Sequence, residues 1–201
     1  MASISDDADA LFVYAHGAGA PMNHAFMESS ARELAERGIA TLRFNFVYSE
    51  AGKKRPDRQP AAVAAIRAAV AHARTLTELP IYAGGKSFGG RMSTHAQLAE
   101  LGVQGLILVG FPLHAPGKAG TKRAEHLSDV GLPMLFLQGT RDSLADLELM
   151  REVCHRLPAA TLHVVDGADH GFHVLKRSGR TDQQVLVELA DTIRAWVMDS
   201  H

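Results

Sequence analysis

Six short apolar runs, Ala10–Ala15, Ala40–Phe44, Ile81–Gly84, Gly105–Val109, Met134–Gln138 and Thr161–Val165, recur along a chain of 201 residues. Each is bounded by Gly, Pro or polar residues, as strands buried on both faces usually are. Segments of helical period lie between them. Val63, Ile66 and Val70 fall on one face of a segment that opens with Pro60. Proline suits that position because the first helical turn has no partner for the N–H it lacks. Val185, Leu189, Ile193 and Val197 recur every four residues, with Leu186 and Trp196 beside them. Thr181 and Gln184 stand ahead of that helix at capping-box spacing. Strand–helix alternation of this kind predicts one α/β domain: a mostly parallel sheet of about six strands between two layers of helices. The length suits a single domain with a sizeable core.

Ligands of such sheets bind beyond the carboxyl ends of the strands, so chemistry is sought there. The third run is followed by Gly85-Lys86-Ser87-Phe88-Gly89, the pattern G-x-S-x-G with strand before and helical sequence after. A serine at a sharp strand-to-helix turn is strained, and side chains two residues to either side would collide with the turn; glycine removes the collision. The fifth run is followed by Gly139-Thr140-Arg141-Asp142 and the sixth by Gly167-Ala168-Asp169-His170-Gly171-Phe172. A serine hydroxyl needs a neighbouring base, and the base needs a carboxylate to fix its tautomer. Ser87, His170 and Asp142 are the candidates for nucleophile, base and acid. Asp146, Asp166 and Asp169 compete for the acid role, and Asp142 is preferred because it lies just past a strand end. The loop His16-Gly17-Ala18-Gly19-Ala20 follows the first run. The N–H of Ala18, with that of Phe88, is the expected oxyanion hole. Asn45, Tyr48, Phe111 and His114 follow other strands and are expected to line the pocket.

Several classes drop out. Basic and acidic side chains number 21 and 22, which gives no general reason to expect nucleic acid or an anionic membrane as partner. No apolar run approaches the roughly 20 residues of a membrane helix. Cys154 is the lone cysteine, so no intramolecular disulfide forms. It is expected to be packed within a helical stretch, 145–156. The polar start, Met1 to Asp9, lacks the basic and apolar parts of a secretory signal, so a cytoplasmic protein is expected. Gly85-Lys86-Ser87 is not the end of a phosphate loop, which needs glycine where Pro80 stands. His170, His173 and Asp169 lack a third nearby histidine and any H-E-x-x-H motif, so neither metal nor cofactor is expected. The basic cluster Lys53, Lys54, Arg55 and Arg58 reads as a solvated loop.

The chain resembles the α/β-hydrolase superfamily over nearly its whole length, and the order Ser87, Asp142, His170 is that of its triads. His16-Gly17-Ala18-Gly19-Ala20, Thr41-Leu42-Arg43-Phe44-Asn45-Phe46, Gly84-Gly85-Lys86-Ser87-Phe88-Gly89-Gly90-Arg91 and Gln138-Gly139-Thr140-Arg141-Asp142 look like a small branch without a lid domain. That branch is similar to dienelactone hydrolases and includes relatives of a non-specific-lethal chromatin-complex subunit and of a testis-expressed protein. The resemblance implies a six-stranded parallel core and a Ser–Asp–His triad. Dienelactone hydrolases carry cysteine where this chain has Ser87, so their specificity does not transfer. The expected activity is hydrolysis of a small ester or thioester through an acyl-enzyme. A scaffold protein on the same fold and an amidase or peptidase using the same triad are the alternatives.

Overall fold

In a computed structural model that describes residues 1–5 and 7–199, the strands are β1 (Ala2–Ser3), β2 (Ala10–Ala15), β3 (Ile39–Phe44), β4 (Ile81–Lys86), β5 (Leu106–Val109), β6 (Met134–Gly139) and β7 (Ala160–Val165). They form one seven-stranded sheet in the order β1-β3-β2-β4-β5-β6-β7. All neighbours are parallel except β1, which runs antiparallel to β3 through Ala2↔Leu42 and Ser3↔Thr41. The strand beyond the six expected is therefore β1. Two exposed residues carry no periodicity to read, and tertiary pairing alone makes them a strand.

Side chains alternate across a strand, and here both faces are apolar. Leu11, Val13, Leu106, Leu108, Met134 and Phe136 enter one core. Their neighbours Phe12, Tyr14, Ile107, Val109, Leu135 and Leu137 enter a second. Such a sheet needs cover on both sides. Helices α1 (Ala25–Ala35) and α6 (Asp182–Asp199) cover the second core, through Met27, Leu34, Val185, Leu189, Ile193 and Val197. The first is covered by α3 (Gln59–Leu76), α4 (Phe88–Gln97) and α5 (Leu147–His155), with a single helical turn, α2 (Val47–Glu50), at its rim. The capping box at the start of α6 is made in both directions: the Thr181 N–H donates to Gln184 Oε1 at 2.9 Å, and the Gln184 N–H donates to Thr181 Oγ1 at 3.2 Å. Among the described residues no helix is long and apolar enough to cross a membrane.

From β2 the chain passes to β3 on one side and then returns to place β4 on the other side of β2. The winding reverses there, which opens a crevice at the carboxyl ends of β2 and β4. β4 runs two residues further than its apolar run, because Gly85 and Lys86 read as the start of the turn but lie in the sheet. The reason is close approach: a Cβ on Gly84 would overlap the Ile107 carbonyl, and one on Gly85 the Ala15 carbonyl. The longest stretch between successive elements, residues 110–121, leads from β5 into a short 3₁₀ segment (Lys122–Asp129).

Candidate active site

The turn after β4 sets the geometry. Ser87 has φ 50° and ψ −111°, a conformation that costs an L-residue about 1–3 kcal/mol and persists only where the surroundings impose it. The imposition is visible: the Ser87 N–H donates to the Val109 carbonyl at 2.9 Å, and α4 starts at once with Phe88. Gly89 lets the helix press on β2, where a Cβ would stand 2.5 Å from the Ala15 carbonyl oxygen.

Ser87 Oγ lies 2.8 Å from His170 Nε2, and His170 Nδ1 lies 2.7 Å from Asp142 Oδ2. A carboxylate only accepts, so Nδ1 carries the proton and the bare Nε2 accepts from the serine hydroxyl. Three donors fix the Asp142 side chain, which is 1 % exposed. They are His170, the Gln138 side-chain amide at 2.5 Å on Oδ2, and the Leu144 N–H at 2.7 Å on Oδ1. The rival carboxylates are engaged elsewhere. Asp146 caps α5, accepting from the Leu149 N–H. Asp166 accepts from the Thr140 hydroxyl. Asp169 accepts from the Gly171 and His173 N–H groups and shapes the loop that carries His170.

Among the described residues the N–H groups of Ala18 and Phe88 donate to no protein acceptor. That of Phe88 is one of the orphan donors every helix start presents. The loop bearing Ala18 is propped by His16. Its Nε2 accepts from the Phe46 N–H at 3.2 Å, so its Nδ1 donates to the Gly17 carbonyl at 2.7 Å. Burial holds the His16 imidazole below its usual pKa, which keeps it neutral for this role.

Beside Ser87 and His170 is a cavity of about 180 Å³, walled by Ala18, Ala20, His24, Phe26, Met27 and Lys86. Asn45, Tyr48, Phe111 and His114 do not line it, which corrects the expected pocket. Asn45 bridges the Met22 N–H and Glu50. Tyr48 is buried with its hydroxyl 3.4 Å from the Gly19 N–H. Phe111 packs edge-on against Phe136. His114 Nε2 accepts from the Asp146 N–H at 2.8 Å. Placement after a strand located these residues at the correct end of the sheet but could not tell side chains turned into the core from those facing the crevice. Phe26 and Met27, which do face it, read in sequence only as the apolar face of a helix. A larger depression of about 510 Å³ near Cys154, Arg151 and His155 lies at the β7 edge, with none of Ser87, His170 and Asp142 in it. His173, weighed in sequence as a metal ligand, pairs with Asp182 at 2.8 Å. No three metal-ligating side chains converge among the described residues. Lys53, Lys54, Arg55 and Arg58 are exposed.

The model for the alpha/beta hydrolase domain matches residues 8–198. Among solved structures, a serine hydrolase without a lid from Xanthomonas campestris is 25% identical, with 96% of this chain and 86% of that one covered at a TM-score of 0.74. The esterase Est1E from Butyrivibrio proteoclasticus, solved with ferulic acid bound, is 15% identical over 100% of this chain and 94% of its own, with a TM-score of 0.78. Dienelactone hydrolase from Anabaena variabilis is 21% identical over 98% and 89%, at 0.73.

Proposed function

The chain belongs to the alpha/beta hydrolase domain family, and from that premise we propose that it is a serine hydrolase cleaving a small ester or thioester through an acyl-enzyme on Ser87. The observation that carries this reading is the unbroken relay of Ser87 Oγ, His170 and Asp142, with separations of 2.8 and 2.7 Å. Ser87 Oγ attacks the substrate carbonyl while its proton passes to His170 Nε2. The oxygen that becomes negative is held by the Ala18 and Phe88 N–H groups. Collapse of the tetrahedral intermediate breaks the bond to the leaving group, which takes the proton from Nε2. Water then attacks the acyl-enzyme, giving its proton to Nε2, and the acid departs as that proton returns to Ser87. Asp142 holds the imidazole in the required tautomer and stabilises it when charged.

The cavity beside Ser87 is smaller than the roughly 300 Å³ at which drug-sized pockets begin, which favours short acyl groups. The lone Cys154 fits a reducing, cytoplasmic setting. Kinship with the chromatin-complex subunit and the testis-expressed protein rests on the four motifs alone. Fluorophosphonate labelling and a panel of esters, thioesters and amides, run on wild type beside Ser87→Ala, test the reading. The variant should fold normally, fail to label, and lose turnover by about 10⁴-fold or more. A well-folded wild type that neither labels nor turns over any ester would favour a scaffold role.

A further inference from the structure

We infer that Lys86 is a positioning residue: its ammonium grips the main chain of His170 and so holds the imidazole where it meets Ser87. The inference deepens the hydrolase reading and rests on it. Lys86 Nζ donates to the His170 carbonyl oxygen at 2.6 Å. Among the described residues this is the one hydrogen bond on the His170 main chain. The neighbouring peptides are tied to other loop groups, Phe172 N–H to the Asp169 carbonyl and Asp169 N–H to that of His173. The peptide that follows the imidazole-bearing residue is thus held at both ends, its N–H by Asp169 Oδ1 at 2.8 Å within the loop and its carbonyl by a lysine side chain from the end of β4, which among the described residues is its one tie to the turn that carries Ser87.

The nest of that lysine is built for it. Lys86 is 8% exposed. Its ammonium sits 5.3 Å from the Phe172 ring centre and 5.9 Å from that of Phe26, within range of cation–π attraction to both. Gly110 completes the wall, where a Cβ would stand 3.0 Å from Nζ. No carboxylate forms an ion pair with it among the described residues. The charged or titratable groups that face it are Asp142 after β6 and Asp169 and His170 after β7; α1 offers the Phe26 ring and β5 the Gly110 backbone. Burial pushes the Lys86 pKa down to about 8, against a smaller upward pull from Asp142 and Asp169. The unfolded chain then binds more protons than the native one between about pH 8 and the ordinary lysine range, so stability rises with pH across that window. Below it, the native ammonium is a cost to stability that an apolar residue would not carry. A charge kept at such a place and joined to the base has its use in geometry, where a misplacement near 1 Å costs about 100-fold.

The test compares wild type, K86M and K86R, reading fluorophosphonate labelling rate against pH, kcat and KM on p-nitrophenyl acetate, and Tm. K86M is expected to keep or raise Tm near pH 7 while its labelling rate and kcat fall about 10- to 100-fold with KM little changed. Wild type should step down above about pH 8 to a lower, non-zero plateau, because a neutral amine still donates but more weakly. K86M, which has no donor, should lie at or below that plateau and show no step, and K86R, charged over the whole range, should show no step either. K86M labelling at the wild-type rate overturns the inference, and should K86M fail to fold, a folded K86A labelling at the wild-type rate overturns it equally. A wild type that labels while K86M matches it refutes this inference alone; a wild type that never labels refutes the hydrolase reading and this inference with it.

Discussion

Replacing Asp142 by Asn changes one atom of the relay, and the neighbours of that atom decide the outcome. Oδ1 accepts the Leu144 N–H at 2.7 Å, so the Asn oxygen belongs there. The amide nitrogen then takes the place of Oδ2, facing the Gln138 amide and His170 Nδ1. Gln138 can answer by turning over, because its Oε1 is buried without a partner and becomes an acceptor for the new N–H. His170 can answer only by moving its proton to Nε2, and in that tautomer it cannot take the Ser87 proton. The opposite Asn orientation preserves the tautomer but sets two donors against each other at Leu144, a penalty of about 1–3 kcal/mol for the unpaired buried group. Population of the working orientation therefore drops about 10- to 100-fold. The charge-assisted bond to the imidazolium, worth about 1.5–3 kcal/mol, is lost as well. The two losses together come to about 4 kcal/mol, or about 10³-fold in kcat/KM. Loss of the charged acceptor lowers stability by about 1–2 kcal/mol, a fall in Tm of about 2–8 °C at this size. Steady-state kinetics on a short p-nitrophenyl ester beside thermal unfolding would measure both. A well-folded Asp142→Asn within tenfold of wild type would refute the argument.

Gly89→Ala forces a Cβ to 2.5 Å from the Ala15 carbonyl and should lower stability by about 3 kcal/mol or prevent folding, whereas Gly17→Ala, with 3.6 Å of clearance, should keep Tm within a few degrees; thermal melts compare them. Thr181→Ala removes one half of the α6 capping box, and should cost about 1 kcal/mol without changing kcat, a split that melts and kinetics on the same sample reveal. Burial pushes the Cys154 thiol up to about 11, so at pH 8 its thiolate is scarce and reaction with a disulfide reagent should run about 10²-fold slower than with free cysteine until the chain is denatured.

The apolar runs reveal β2 to β7 because a strand buried on both faces leaves an uninterrupted signature, and Thr181 with Gln184 reveals the start of α6 because a capping box is local chemistry. The proposed triad of Ser87, Asp142 and His170 is read from sequence for a related reason: in a parallel sheet ligands bind beyond strand ends, and strand ends are what the pattern shows. Residues whose parts depend on partners distant in sequence escape that reading. Gln138 reads as the last polar residue of a strand, and nothing local says that it grips Asp142. His16 reads as the start of a glycine loop rather than its prop. Tyr48 and His114 lie at the expected end of the sheet, but a side chain's choice between crevice and core is made by packing.

Lys86 escapes for a different reason. The variable position of G-x-S-x-G reads as filler between two glycines, yet the turn needs Ser87 at φ 50°, and that twist sends three consecutive residues to three destinations. Lys86, still in the sheet at Lys86↔Val109, reaches under the loop of the base. Ser87 presents its hydroxyl to the imidazole, and Phe88 opens a helix with its N–H bonded to no protein acceptor among the described residues, as the proposed oxyanion hole requires. The strain at Ser87 therefore aligns the proposed nucleophile, anchor and oxyanion donor in one rigid piece, so errors among them are set by covalent geometry rather than by the softer packing of separate loops. His170, Asp142 and Ala18 arrive from elsewhere, and the lysine ties the first of these back to the turn. A relaxed Ser87 would save about 1–3 kcal/mol and lose that alignment, which is the physical reason for the turn to retain its strain.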